Sequence, residues 1–258
     1  MAASEPVTKL PPGAIQTMTV NAAYGRVLKS EWPPRKLDQE NVMKHITLHL
    51  DFISPYAYLA FEQLPETLKG ISYSVDYRPV LFAGMLKHYG QLGPAEIAPK
   101  RDWTYRQVMW LAHSLNIPLQ MPISHPFNPL PLLRLAIACN VSTTGQANRY
   151  VCETIFRQVW RSGHDAGSLE FVESLTAQLA PANDVQSERV KQSLKTNTDE
   201  AISQHVFGVP TFAVDDKVFW GLDALPMLRD YLLGASWFKN SDWDSALQVG
   251  FGKSRNKT

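Results

Sequence analysis

Ser54 follows a strand-like run and precedes Pro55 and an apolar-periodic stretch, the pattern of a helix N-terminus with proline in its first turn. A residue in that slot lies beside unpaired backbone N–H groups at the positive end of the helix dipole, so the position favours an anion. A cysteine there would be held as thiolate. The chain has Ser54-Pro55-Tyr56-Ala57 in place of Cys-x-x-Cys, which removes disulfide exchange at this point. The hydroxyl is left to cap the helix or to donate to the thiolate of a bound thiol. A second stretch, Val209-Pro210-Thr211-Phe212, places a proline at the head of a strand. A cis bond before Pro210 would leave the Val209 backbone as a short open edge that a small peptide can pair with. The alternative is a trans proline opening an ordinary strand. Asp223, just past the last strand, reads either as a helix N-cap or as an acceptor for an α-ammonium group whose α-carboxylate meets the helix N–H groups.

Other chemistries find less support. His45 and His49 are four apart on a strand with no third ligand nearby in sequence, so no metal site is expected. The remaining histidines, including His125, are scattered and read as surface or satisfied core residues. No Walker loop, dinucleotide fingerprint, Gly-x-Ser-x-Gly elbow or His-Glu-x-x-His occurs. Trp103, Trp110 and Trp160 are expected to pack helices. Lys100, Arg101 and Arg106 either attract an anionic substrate or form a solvated helix face. With 25 basic and 24 acidic residues and no basic stripe, nucleic acid is not an expected partner. No apolar run reaches the roughly 18 residues that span a bilayer, and no secretory signal is read at the start. The two cysteines, Cys139 and Cys152, form no motif and are expected to be reduced, in a cytoplasmic protein. Asn140-Val141-Ser142 matches a glycosylation sequon by chance.

The elements that must carry these residues follow from periodicity. Apolar positions alternate from Ile46 to Phe52, a strand; a helix runs from Tyr56 to Leu68 and is closed by Gly70; a second strand covers Ser72 to Pro79. Helical periodicity then dominates, roughly over 81–89, 102–116, 130–140, 145–162, 168–180, 184–195 and 198–205. Strands at 211–214 and 218–220 flank Asp215-Asp216-Lys217, a hairpin signal, and a helix follows from Ala224 to Leu233 with Asp223 as its cap. The division expected is a partly ordered extension (1–44), a βαβ half (45–80), a helical insertion (81–205), a ββα half (206–236) and a tail (237–258). An α/β sheet split by a large all-helical insertion is the thioredoxin-like layout.

These segments resemble the 2-hydroxychromene-2-carboxylate isomerases and the kappa-class glutathione transferases of the DsbA-like thioredoxin superfamily. The resemblance is carried by Asp51 to Ala60, Arg78-Pro79, Pro99-Lys100, Leu115 to Pro118, His125 to Asn128, Val206 to Thr211 and Trp220 to Asp223, and covers roughly residues 45 to 235. It implies a glutathione cofactor and a homodimer. It places Ser54 at the sulfur, and Val209 with Pro210 along the glutathione backbone. Leu222-Asp223 falls at the γ-glutamyl end, Lys100 at the glycine carboxylate and Asn128 in the lining of the site. Two positions depart: Leu222 stands where asparagine is common, losing a side-chain hydrogen bond, and Gln107 stands where an acidic residue is usual. The implied activity is isomerisation of an unsaturated aromatic carbonyl compound through the glutathione thiolate. A kappa-like transferase or peroxidase, and a non-catalytic binding protein of the same fold, are the alternatives.

Overall fold

The computed structural model describes residues 43–140, 145–239, 242–250 and 252. The expected N-terminal extension lies almost wholly outside these residues, as do Val141 and Ser142 of the sequon and the last six positions.

The alternation of Ile46, Leu48 and Leu50 makes β1 (Lys44–Leu50), with those three side chains fully buried on one face. Helix α1 (Pro55–Thr67) carries the chain over to β2 (Tyr73–Pro79), which pairs with β1 in parallel, Leu48 opposite Tyr77. The chain returns to the sheet with β3 (Thr211–Val214), antiparallel to β1 with His49 opposite Thr211. Strand β4 (Lys217–Trp220) closes a two-residue hairpin on it, and the sheet order is β2-β1-β3-β4. Asp215 takes a left-handed φ of 53° in the hairpin turn, a conformation aspartate tolerates.

Between β2 and β3 the described residues form six α-helices: α2 (Phe82–Tyr89), α3 (Ala98–Leu115), α4 (Leu130–Ala138), α5 (Arg149–Arg161), α6 (Leu169–Leu179) and α7 (Glu188–Ser203). After the hairpin come α8 (Leu225–Leu232) and a four-residue helix, α9 (Asp242–Ser245). This is the expected thioredoxin-like α/β class. The β1 strand stops two residues short of Phe52, because the backbone turns at Asp51. Helix α3 starts earlier than its periodicity indicates, with Pro99 in its first turn. The two helices expected at 184–195 and 198–205 are one, α7. Asn197 and Thr198 do not interrupt it, since their side chains bond to groups outside the helix or one turn back rather than to the local backbone N–H groups.

α1 is buried nearly all round. One side faces the sheet and the other meets α5, where Val151, Cys152, Ile155, Phe156, Val159 and Trp160 form an apolar stripe. Phe156 sits against both Phe52 and Phe61, with ring centroids 4.8 and 5.3 Å apart. This core runs without a break from the sheet into the helices of the insertion. A smaller cluster, Val80, Met85, Ala201, Val206 and Val209, lies where α2 and α7 cover the segment that leads into β3. Beyond α8, Phe238 and Trp243 pack on buried Phe219, at 6.1 and 5.8 Å.

Candidate active site

At the end of β1 the chain must leave the sheet and start a helix within four residues. Asp51 makes this turn possible. Its Oδ1 accepts from the Ile53 N–H at 3.1 Å and its Oδ2 from the Phe82 N–H at 3.0 Å, while its carbonyl accepts from the Ser54 N–H at 3.1 Å. Asp51 is fully buried, and that burial pushes its carboxyl up to about 7 against the N–H groups of Phe82, Ile53 and Phe52, which pull it down. Ser54 is the N-cap of α1, its Oγ accepting from the Ala57 N–H at 3.2 Å. The same hydroxyl donates to the Val209 carbonyl at 3.3 Å. The two stretches separated by 155 residues therefore meet at a single oxygen. No acidic side chain occupies the first turn of α1, so nothing there cancels the dipole.

The Val209–Pro210 bond is cis. Val209 is 7% exposed, and the Pro210 carbonyl accepts from the Gly221 N–H at 2.9 Å, which ties this bend to the end of β4. Trp220, 54% exposed, lies across Gly208 beside Phe207, their ring centroids 4.8 Å apart. A Cβ on Gly208 would stand 2.6 Å from the indole nitrogen, so any larger residue would have to displace that ring. Gly221 has a φ of 101°, and a Cβ there would strike Asp223 Oδ1. Asp223 thus folds back over Gly221 and does not cap α8: the cap position is Ala224, with no side-chain hydrogen bond. Its carboxylate is exposed, and close enough to Tyr56 to oppose ionisation of that phenol, whose burial is the larger cause of its raised pKa.

Tyr56, two residues after Ser54, connects this site to the insertion. Its hydroxyl donates to Gln107 Oε1 at 2.7 Å and is also bonded by Thr104, both on α3. Lys100, Thr104 and Gln107 recur at helical spacing, which puts exposed Lys100 one turn further along the same face. Asn128 is exposed and its Oδ1 accepts from the Leu130 N–H, a local turn at the start of α4. Leu222 is buried in the core, leaving only its backbone to face a ligand. The structure therefore brings together Ser54, Val209 and Pro210 directly, and Asp223 through Tyr56. Lys100 lies on the adjoining helix face, and Asn128 is engaged in its own turn.

Three further residues hold the Ser54 turn and were not singled out by their sequence context. Trp160 Nε1 donates to the Phe52 carbonyl at 3.0 Å, so this tryptophan does more than pack. His125 Nε2 bonds the Ile53 carbonyl at 2.8 Å, and Asp51 acts as described. In the sequence, Asp51 and His125 stood out only within the stretches that carry the resemblance, and Trp160 only as a helix-packing residue. Trp103 and Trp110, read as helix-packing residues, are exposed on α3. Of the two strand histidines, His45 bonds Ser74 and approaches Asp76 at 3.3 Å. His49 is 4% exposed, and burial and then Arg78 lower its pKa to about 4. A neighbouring guanidinium is a poor setting for a cation. No group of three or more metal-ligating side chains occurs among the described residues, and no helix among them is long and apolar enough to cross a membrane.

Against known proteins, the family description "DSBA-like thioredoxin domain" matches residues 45–233. The chain is 27% identical over 197 residues to 2-hydroxychromene-2-carboxylate isomerase of Sphingobium xenophagum, an alignment covering 74% of this chain and 98% of that protein. It is 25% identical over 206 residues to glutathione S-transferase kappa 2 of Caenorhabditis elegans, covering 73% and 92%. A solved structure of a 2-hydroxychromene-2-carboxylate isomerase superposes with a TM-score of 0.62 at 22% identity, covering 77% of this chain and 98% of that one.

Proposed function

The chain belongs to the DSBA-like thioredoxin family, and from that premise we propose that it binds glutathione and uses it to isomerise an unsaturated aromatic carbonyl compound. The observation that carries the proposal is the Ser54 hydroxyl resting on the Val209 carbonyl at a helix N-terminus. The chain has the hydroxyl of a thiol-handling site and lacks the cysteine of a redox one. Its relatives at 25–27% identity carry the names of isomerases and glutathione transferases.

The residues fit glutathione in type. Val209 offers main-chain groups to a peptide backbone, exposed Asp223 an anion to the ammonium of the γ-glutamyl end, and exposed Lys100 a cation to the glycine carboxylate. Leu222 contributes backbone alone. Asn128, on the segment that also carries His125, faces the second substrate in this reading. When bound, glutathione supplies a thiolate that adds reversibly across a conjugated double bond, turning it into a rotatable single bond. Val209, on accepting a main-chain N–H at its carbonyl, releases the Ser54 hydroxyl to donate to sulfur. The N-terminal turn of α1 favours the anion in the same place. Ser54 has no base beside it and does not itself attack.

Titration calorimetry with glutathione tests the proposal. Wild type should bind it, and Asp223→Ala should weaken binding about 10-fold, in line with a charge-assisted hydrogen bond worth roughly 1.5 kcal/mol. No binding at millimolar glutathione would overturn the reading. Turnover of a hydroxychromene carboxylate with glutathione conserved marks an isomerase; glutathione consumed marks the transferase or peroxidase alternative, which the kappa-class relatives support. The same reading makes the protein a cytoplasmic homodimer. Its two cysteines are unpaired, with burial raising the pKa of Cys139 to about 11 and that of Cys152 further, which suits a reducing compartment.

A further inference from the structure

The Ser54 turn is held from the far side by the helical insertion. His125 bonds the Ile53 carbonyl through Nε2 at 2.8 Å, and its Nδ1 lies 2.8 Å from the Tyr105 hydroxyl. A carbonyl only accepts, so Nε2 carries the proton and, in the neutral ring, Nδ1 accepts from Tyr105. The same Tyr105 hydroxyl is also placed to donate to the His125 carbonyl at 2.8 Å, so its single proton is shared between that oxygen and Nδ1. Were Nδ1 protonated, Tyr105 could accept from the ring and donate to that carbonyl, leaving the bond to Ile53 unchanged. Tyr105 is the titratable side chain that meets the His125 ring, whose other neighbours are Phe127 and Trp160, with ring centroids 6.0 and 5.6 Å away. Trp160 in turn holds the Phe52 carbonyl. The carbonyl side of the peptide immediately before Ser54 is therefore held by side chains of the insertion, its N–H side by the Asp51 carbonyl, and the Ser54 hydroxyl by Ala57 and Val209.

We propose that His125, backed by Tyr105, is a positioning residue for Ser54: by holding the Ile53 carbonyl it sets the direction from which the Ser54 hydroxyl and the first turn of α1 meet a bound thiol. The inference rests on the glutathione reading above. It gives the insertion a part in the chemistry of the thiol as well as in covering a substrate. Without the His125 bond, the Ile53–Ser54 peptide keeps only the hold of the Asp51 carbonyl on its N–H and can tilt about it. The hydroxyl then loses its aim, although the cap and the fold remain.

The test is the pKa of glutathione bound to the whole protein, read from thiolate absorbance, in wild type, His125→Phe and His125→Gln. Phenylalanine keeps a ring in the aromatic nest and loses both bonds; glutamine keeps a donor at the Nε2 position. His125→Phe should raise the bound thiol's pKa by about one unit and lower kcat about 10-fold or more with a smaller change in KM, the pattern of lost alignment. His125→Gln should restore most of both. Equal thiol pKa values in wild type and His125→Phe would overturn the positioning role while leaving glutathione binding intact. Should His125→Phe fail to fold, Tyr105→Phe decides. It removes the Tyr105 bonds to the His125 ring and carbonyl and leaves the ring itself in place: a raised thiol pKa supports the role and an unchanged one refutes it. A wild type that binds no glutathione overturns this inference together with the reading beneath it.

Discussion

The Ser54 hydroxyl has two bonds in this structure, one accepted from Ala57 and one donated to Val209. They lead to separable expectations. Ser54→Ala removes an N-cap and should destabilise the protein by about 1 kcal/mol, seen as a lower urea midpoint with unchanged slope. It should also raise the pKa of bound glutathione and reduce turnover about 10- to 100-fold, since one preorganised donor to a developing charge is lost. A variant with the stability loss alone would reduce Ser54 to a helix cap. The sequence context could not choose between these, because Ser-Pro before a helix is a common cap. What distinguishes this serine is the Val209 carbonyl, which lies 155 residues away along the chain.

At the scale of elements, the sheet and the insertion are joined by a few buried polar side chains. Asn197, in the middle of α7, donates to the Pro79 carbonyl at 2.9 Å and the Gly145 carbonyl at 2.6 Å and accepts from Arg78 at 3.2 Å. It is 3% exposed. It holds the end of β2, the approach to α5 and α7 in one arrangement. Asn197→Ala should therefore cost about 2–4 kcal/mol, since two buried carbonyls lose their donors. Chemical denaturation measures this, and a loss below about 0.5 kcal/mol, the size of an ordinary surface change, would mean the asparagine is dispensable. The same residue explains why periodicity placed a break in α7: a polar Asn-Thr pair reads as a helix end. Here both side chains have partners elsewhere, Thr198 receiving the Leu81 N–H, and the helix continues through them.

At the scale of the whole molecule, two buried groups on β1 and just after it give stability opposing dependences on pH. Asp51 has a folded pKa of about 7 against 3.8 in the open chain, so folding takes up a proton and stability falls as pH rises through that window. His49 has a folded pKa of about 4 against 6.5, so folding expels a proton and stability is lost as pH falls from 6.5 towards 4. Each slope is about 1.4 kcal/mol per pH unit where it acts fully, and between pH 4 and 6.5 they cancel. Wild type should show little net contribution from this pair there. His49→Phe should uncover a decline in stability with rising pH, and Asp51→Asn a rise. Parallel pH profiles of ΔG for all three proteins would refute the assignment. The sequence by itself determined the alternation that makes β1, the N-terminus of α1, the hairpin and the long helical stretch between β2 and β3. It also determined the absence of a cysteine at the redox position. These are local properties, decided by period, proline placement and capping residues within a few positions. Tertiary structure alone decided that Ser54 meets Val209, that Asp223 turns back over Gly221 instead of capping α8, and that His125 and Trp160 hold the turn from the insertion. The contacts of Ser54, His125 and Trp160 join residues tens to more than a hundred positions apart, and no local spacing encodes which distant carbonyl a donor must satisfy.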